Sequence, residues 1–583
     1  MLLDGRLFLE SANYTLTGRK IERLGLGKIT LHEAFFTACD CPEDPDWHIK
    51  AASIRLTLGT YLTAKDVFFY ADKTPIIYLP YFIYPVKTTR QTGFLIPHIG
   101  GSSTQGLRYN QDFFWAFSQN QDATFSLDYR DKKGVGSGIE YRYALSTETS
   151  GALQVERFHD IEKSSSGTAT ANPVAIRYRH QQRFSDRIGF NLSARYVSAE
   201  DYYTELSDFT SERALQKLES NAALTYRGDE SFGYLLARYT QDLTRTDNRA
   251  TLLQRLPEAG WSLIGHKIGP VFLDLHTTYT RFDRKTDFDW ERIDLSPAVS
   301  LPLRVVSGIG ATPWVKFHGI TYSRTLLSNR LLRRNITGIG IDVDSESTGT
   351  IWKSPVHFSK KLTYEEINAD DQSNIPQADE IDQVHNRRSM TLSLNPRSVS
   401  TSIRFTETYN IDLTPSSSDR LSDVRTEWSI TPSPFFSFNT DLFYHWQSQH
   451  VTAVNTDLRV GNREKLTLLV GQRYTQGGLL PQKGDLLNPI YLGDHQTAPR
   501  VAFITGHLRA KLSDRLTFAT EAFYDTDTDR FAEIHYGLLY ERQCWLVAMA
   551  YQDLLNRNEF LFTVSLKGLG ETLPRQFAYL FEP

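Results

Sequence analysis

The sequence predicts an all-β fold: a very large antiparallel transmembrane β-barrel of ~26 strands, at about 19 residues per strand and connection, preceded by a small β domain. Three observations predict it. Apolar and polar residues alternate strictly from about residue 120 to the end, the period that puts the two classes on opposite faces of a strand. Aromatic residues reach 12%, with 34 Phe and 29 Tyr, while the mean hydropathy stays at −0.38. Short polar turns and long polar connections both recur along the chain, as they do at the two rims of an outer-membrane barrel.

The first element, residues 1–88, contains short strand-like pieces, Lys28-Ile29-Thr30-Leu31 and Ile54-Arg55-Leu56-Thr57-Leu58. A Pro-punctuated segment follows, Thr74-Pro75-Ile76-Ile77-Tyr78-Leu79-Pro80-Tyr81-Phe82-Ile83-Tyr84-Pro85. Prolines at this density do not fit a central strand, so the segment reads as the end of a β domain and a linker. Residues 89–583 read as one barrel. Ile139, Tyr141, Tyr143 and Leu145 alternate with Glu140, Arg142 and Ala144; Ile188, Phe190, Leu192, Ala194 and Tyr196 alternate with Gly189, Asn191, Ser193 and Arg195. Near the end, Leu516, Phe518, Ala522 and Tyr524 oppose Thr517, Ala519 and Glu521, and Phe560, Phe562, Val564 and Leu566 oppose Thr563, Ser565 and Lys567. Ser185-Asp186-Arg187, Arg227-Gly228-Asp229-Glu230 and Ser513-Asp514-Arg515 are tight hairpin turns, whereas residues 159–173, 368–388 and 477–499 are long loops.

Composition narrows the function. The 64 Lys+Arg and 68 Asp+Glu leave a net charge of −4 without a sustained run of one sign, so no nucleic-acid face is expected. No stretch approaches the ~18 apolar residues of a spanning helix. Hydrolase elbows, zinc-protease helices and phosphate loops are absent, and acids such as Glu140 and Glu521 read as hydrated luminal residues, so neither an enzyme nor a cofactor is expected. The N-terminus lacks a basic and apolar leader, although an exported chain needs one. The three cysteines, Cys39, Cys41 and Cys544, make a poor metal site, since structural zinc wants four ligands and no spaced His completes the set. An oxidising compartment makes a disulfide the natural reading, with Cys544 paired to Cys39 or to Cys41, or Cys39 and Cys41 left as thiols beside a buried Cys544. Pro97 interrupts an alternating segment and removes a backbone donor, either as a plain strand end or as a weak point in the sheet.

The stretch Leu79-Pro80-Tyr81-Phe82-Ile83-Tyr84-Pro85, then Arg90-Gln91-Thr92-Gly93-Phe94-Leu95-Ile96-Pro97, Asp112-Phe113-Phe114-Trp115 and Asn120-Gln121-Asp122-Ala123-Thr124 closely resembles the lipopolysaccharide-assembly outer-membrane protein family (LptD, also called OstA or Imp). Thr37-Ala38-Cys39 with Pro45-Asp46-Trp47-His48-Ile49-Lys50-Ala51, and Tyr540-Glu541-Arg542-Gln543-Cys544-Trp545, resemble two further stretches of that family, so the motifs bracket almost the whole chain. The family's periplasmic domain is longer than residues 1–88, and Asp112 stands where some members carry a second strand proline. The resemblance implies that residues 1–88 are the C-terminal part of a periplasmic β jelly roll. It also implies a long-range disulfide to Cys544, an LptE-like lipoprotein plug in the lumen and a periplasmic LPS-bridge protein at the jelly roll. Lipopolysaccharide (LPS) is the implied substrate, inserted into the outer membrane through a lateral gate between first and last barrel strands. The gate residues on this reading are Gly93, Phe94, Pro97, Phe560, Phe562 and Val564. The competing readings are an outer-membrane diffusion or TonB-dependent uptake channel, whose plug domain residues 1–88 are too short to form, and a soluble propeller.

Overall fold

A computed structural model of the chain describes all residues except 10–13, 26, 40–41, 58–60, 86–91, 96, 162, 164–170, 214, 216, 244–252, 284–287, 352, 371–373, 414–419, 463, 477–500, 555–556, 567–572, 574 and 582–583.

Six antiparallel strands in sequence order form the N-terminal sheet: β1 (Leu2–Leu9), β2 (Tyr14–Gly25), β3 (Lys28–Thr37), β4 (Trp47–Thr57), β5 (Tyr61–Ala71) and β6 (Thr74–Pro85). The register passes over one position in each strand, Asp4, Arg19, Glu33, Ala52, Asp66 and Pro80, and these positions line up as a row across the whole sheet. On alternate strands the residue in the row takes a left-handed backbone, with φ of 50° at Asp4, 48° at Glu33 and 51° at Asp66. Alternation slips by one at the row, so that the buried positions run Leu31 then Ala34, Ala51 then Ile54, and Ala64 then Val67. The sheet is therefore creased along one line and closes around a core of Tyr14, Phe36, Trp47 and aliphatic residues. Phe36 meets Tyr14 edge-on at 5.3 Å and Trp47 at 5.8 Å, and Phe69 stacks on Trp47 at 5.6 Å.

The Pro-rich segment read as a linker is the strand β6. It lies at the sheet's edge and pairs only with β5. A missing N–H costs nothing on an outward edge, and Pro80 falls in the row where pairing is skipped anyway.

Among the described residues, twenty-eight segments between Gly93 and Leu566 close into an antiparallel barrel. Two of its strands are each broken in two, Gly93–Phe94 with His98–Ser102 and Trp290–Ser300 with Leu303–Val306, so 26 strands form the wall. Alternation sets the faces: Phe125, Leu127 and Tyr129 are exposed on the outer wall, while Asp128 and Arg130 point inward and pair at 2.8 Å. The short turns at 185–187, 228–230 and 514–515 share one rim with the turn after Glu541. The long connections at 161–173, 198–216 and 370–386 share the other. Residues 477–499, a third long loop of the sequence reading, lie outside the described residues.

Candidate functional site: the seam between first and last strands

The last strand, Arg557–Leu566, meets the first only over Glu559–Phe562, which align with Ser102, Gly101, Gly100 and Ile99. Ser103 and Asn558 add a backbone bond of 3.0 Å at the long-loop rim. By contrast, the last strand pairs along its whole length with its other neighbour, Trp545–Leu554. Pro97 lies in the break of the first strand rather than inside it, and continuing the register would set it against Val564. Pro97 has no N–H to offer there. Above the short-turn rim the first strand turns to its other side: Gly93 and Phe94 align with Phe114 and Phe113, and the Leu95 N–H donates to the Asp112 carbonyl at 2.9 Å. Asp112 thus caps the break with its carbonyl, and Gln111 Nε2 donates to Leu95 O at 2.8 Å beside it.

The ladder between the two strands ends at Phe562, with Thr563 to Leu566 continuing the last strand toward the short-turn rim. Four residues of strand span about 13 Å. Phe94 and Phe560 face outward and are exposed, with Phe562 and Val564 half-buried on the same outer face. Thr563 and Ser565 are buried on the inner one. All six residues of the sequence reading therefore sit on the two banks of this seam.

Behind it lies a cavity of about 800 Å³. Phe94, Leu95 and Val564 line its seam side and Arg108, Arg142 and Arg177 its back. The charges are matched: Arg108 pairs with Asp128 at 2.8 Å and with Asp208 at 2.6 Å, Arg142 with Asp122 at 2.8 Å, and Arg177 with Glu212 at 2.7 Å. The site is thus an apolar slot backed by a polar, electrically balanced wall. Such a surface lets an amphipathic molecule keep its apolar part at the slot and its polar part in the lumen.

Two segments that sequence reasoning did not single out enter the lumen here. Residues 201–213, with short helices Tyr202–Leu206 and Thr210–Arg213, fold inward from a long connection. The C-terminal helix Arg575–Phe581 lies on the inner wall formed by Ala519, Leu539, Ala548 and Ala550, and His507 Nε2 donates to Leu580 O at 2.9 Å. Gly537 makes room for it, since a Cβ there would lie 2.8 Å from Phe581 Cζ. The signals were present in the sequence: Tyr202, Tyr203, Leu206 and Phe209 in an otherwise polar loop, and Phe577, Leu580 and Phe581 at helical spacing.

Cys39 and Cys544 form a disulfide with their Cα atoms 5.1 Å apart and a sequence separation of 505. Cys41 lies outside the described residues. Trp47 Nε1 donates to Cys544 O at 3.2 Å, Arg542 Nε donates to Asp46 at 3.0 Å, and Trp545 and Leu566 pack on the N-terminal core. The N-terminal domain is thus bound to the short-turn rim of the last hairpin while its chain leads into the first strand.

A 26-strand wall with an aromatic outer face, a polar lumen and a disulfide-anchored β domain on its short-turn rim defines a large Gram-negative outer-membrane barrel with a periplasmic domain. The family model described as LPS transport system D, LptD, matches residues 172–350. The LPS-assembly protein LptD of Pseudoalteromonas atlantica is 28% identical over 47% of this chain and 36% of its own length. Those of Aliivibrio fischeri and Vibrio cholerae are each 22% identical, over 92% and 97% of this chain and 73% and 78% of their own lengths. The match to the first of these relatives covers little more than a third of that protein. The chain is thus similar to LptD proteins along most of its length.

Proposed function

We propose that this chain is the outer-membrane LPS translocon, passing LPS laterally into the outer leaflet through the seam between its first and last strands. The observation that carries the reading is the short pairing of Glu559–Phe562 with Ile99–Ser102 next to a proline-broken stretch, in a wall whose other neighbours pair extensively. The acyl chains take the apolar slot at Phe94, Pro97 and Val564, and the sugars take the polar lumen. On this reading the role is transport, and the driving energy comes from elsewhere in the envelope. A 26-strand lumen is wider than its own side chains fill, which supports a lipoprotein plug of the LptE kind. The N-terminal sheet, open at its β1 edge, supports docking of a periplasmic bridge protein.

The test ties the seam. In cells whose only copy carries Cys41→Ser, Gly101→Cys and Phe560→Cys, a short bismaleimide applied after assembly is expected to stop newly made LPS from reaching the cell surface, while N-ethylmaleimide does not. Continued arrival of LPS across a tied seam would overturn the lateral route. Unaffected LPS with lost solute uptake would favour a diffusion or uptake channel. Co-purification of a small lipoprotein in equal amount tests the plug.

A further inference from the structure

Residues 201–213 cross the seam from inside. On the bank of the first strands, Gln105 Nε2 donates to Glu205 O at 2.7 Å, Arg108 pairs with Asp208 at 2.6 Å, Arg130 Nη2 donates to Leu206 O at 3.1 Å, and Lys133 pairs with Glu205 at 2.8 Å. On the bank of the last strands, Arg557 Nη1 donates to Thr204 O at 2.9 Å. Glu533 is held by both Arg213, at 2.8 and 3.0 Å, and the Thr210 hydroxyl at 2.6 Å. Phe209 also meets Tyr579 of the C-terminal helix edge-on at 6.0 Å. The crossing is level with the paired half of the seam, because Arg108 aligns with Gly100 and Gly100 with Leu561. Arg108, Arg130, Arg213 and Glu533 are mostly shielded from solvent, where bidentate and charge-assisted bonds hold more firmly than at an open surface.

We propose that residues 201–213 are a luminal strap that bolts the paired half of the seam shut, and that they must leave one bank before the seam can open. This rests on the lateral route proposed above. The strap is asymmetric: four side chains from the first bank grip it, against Arg557 and Glu533 from the last. It therefore detaches from the last bank and stays with the first, uncovering the cavity behind Phe94 and Val564. Release parts the Arg213–Glu533 ion pair and frees Arg557 Nη1, while Arg557 keeps Glu559 at 2.5 Å and Glu533 keeps His535 at 3.2 Å; the parted charges face the lumen, a state that a polar cargo there compensates. The strap thereby couples opening to the presence of that cargo and keeps the empty barrel closed.

The test compares two ties in the Cys41→Ser background, each closed by the same bismaleimide after assembly. One is the seam tie, Gly101→Cys with Phe560→Cys. The other is a strap tie, Thr210→Cys with Glu533→Cys. Should that pair not assemble, Thr204→Cys with Arg557→Cys ties the same crossing. Formation of the Cys39–Cys544 bond on non-reducing gels reports correct folding of each. Arrest of LPS arrival by both ties, with N-ethylmaleimide harmless, is the expected result. Arrest by the seam tie alone leaves the lateral route standing and overturns the strap. Arrest by neither, or by the strap tie alone, removes the lateral route and the strap with it. Arg213→Ala in the untied protein is expected to raise cell sensitivity to large antibiotics that an intact wall excludes. Unchanged sensitivity would count against a strap that holds the empty barrel closed.

Discussion

Pro97 acts by what it lacks. Replacing it with Val returns an N–H to the first strand opposite Val564, and a ladder bond gained there is worth about 0.5–1.5 kcal/mol. Pro97→Val is expected to slow amide exchange at Val564 and Ser565 and to slow LPS arrival at the surface. Exchange that stays fast would mean that the break is held by its neighbours rather than by the proline. His48 lies outside the barrel, in the N-terminal sheet, stacked between Phe35 at 4.8 Å and Tyr70 at 4.7 Å, and neither ring nitrogen has a hydrogen-bond partner. Burial holds its pKa below the ordinary histidine value, the Lys50 ammonium pushes the same way, and Asp72 opposes them. The unfolded chain thus binds this proton more tightly than the folded one, so stability is lost as pH falls through ~6.5. Amide exchange along Trp47–Thr57 is expected to speed up between pH 7.5 and 5.5, and His48→Gln to remove that dependence. Pro97 was legible in the sequence because a proline inside an alternating run is conspicuous. His48 was not, because stacking between rings from two other strands leaves no local pattern.

The strands of the barrel were legible because a wall with lipid on one side and water on the other repeats at period two without exception for long runs. The N-terminal strands read as fragments for an equally physical reason. The row from Asp4 to Pro80 shifts that period by one in the middle of each strand, so Lys28–Leu31 and Ile54–Leu56 are the parts on one side of the crease. The crease itself makes a prediction. Asp66 sits at φ 51°, where a β-branched residue is strained by roughly 1–2 kcal/mol. It also accepts from the Tyr78 hydroxyl at 3.0 Å. Asp66→Val should lower the melting temperature of the N-terminal domain in the full chain clearly more than Asp66→Gly, which loses the same hydrogen bond but tolerates the backbone. Equal losses would mean that the bond to Tyr78, and not the backbone, holds the bend. The luminal strap and the C-terminal helix escaped notice because a short helix in a loop is defined by what it packs against.

At the scale of the whole molecule, the Cys39–Cys544 bond closes the longest loop that the three cysteines allow. Disulfides contribute roughly 0–5 kcal/mol, more for longer loops, so this one belongs near the upper end. Cys544→Ser is expected to abolish the mobility difference between reduced and non-reduced protein and to reduce folded barrel in the membrane. An unchanged yield would make the bond dispensable for assembly. The same bond also fixes how the wall can move. The N-terminal domain precedes the first strand in the chain and is bonded to the hairpin that carries the last, so both banks of the seam are tied to it at the periplasmic end. Separation there is limited to the play in a covalent link, while the other end is held only by hydrogen bonds and ion pairs. On the lateral route proposed above, the two banks would therefore splay like the arms of a hinge whose pin lies in the periplasm, and the aperture would be a wedge that widens toward the cell surface.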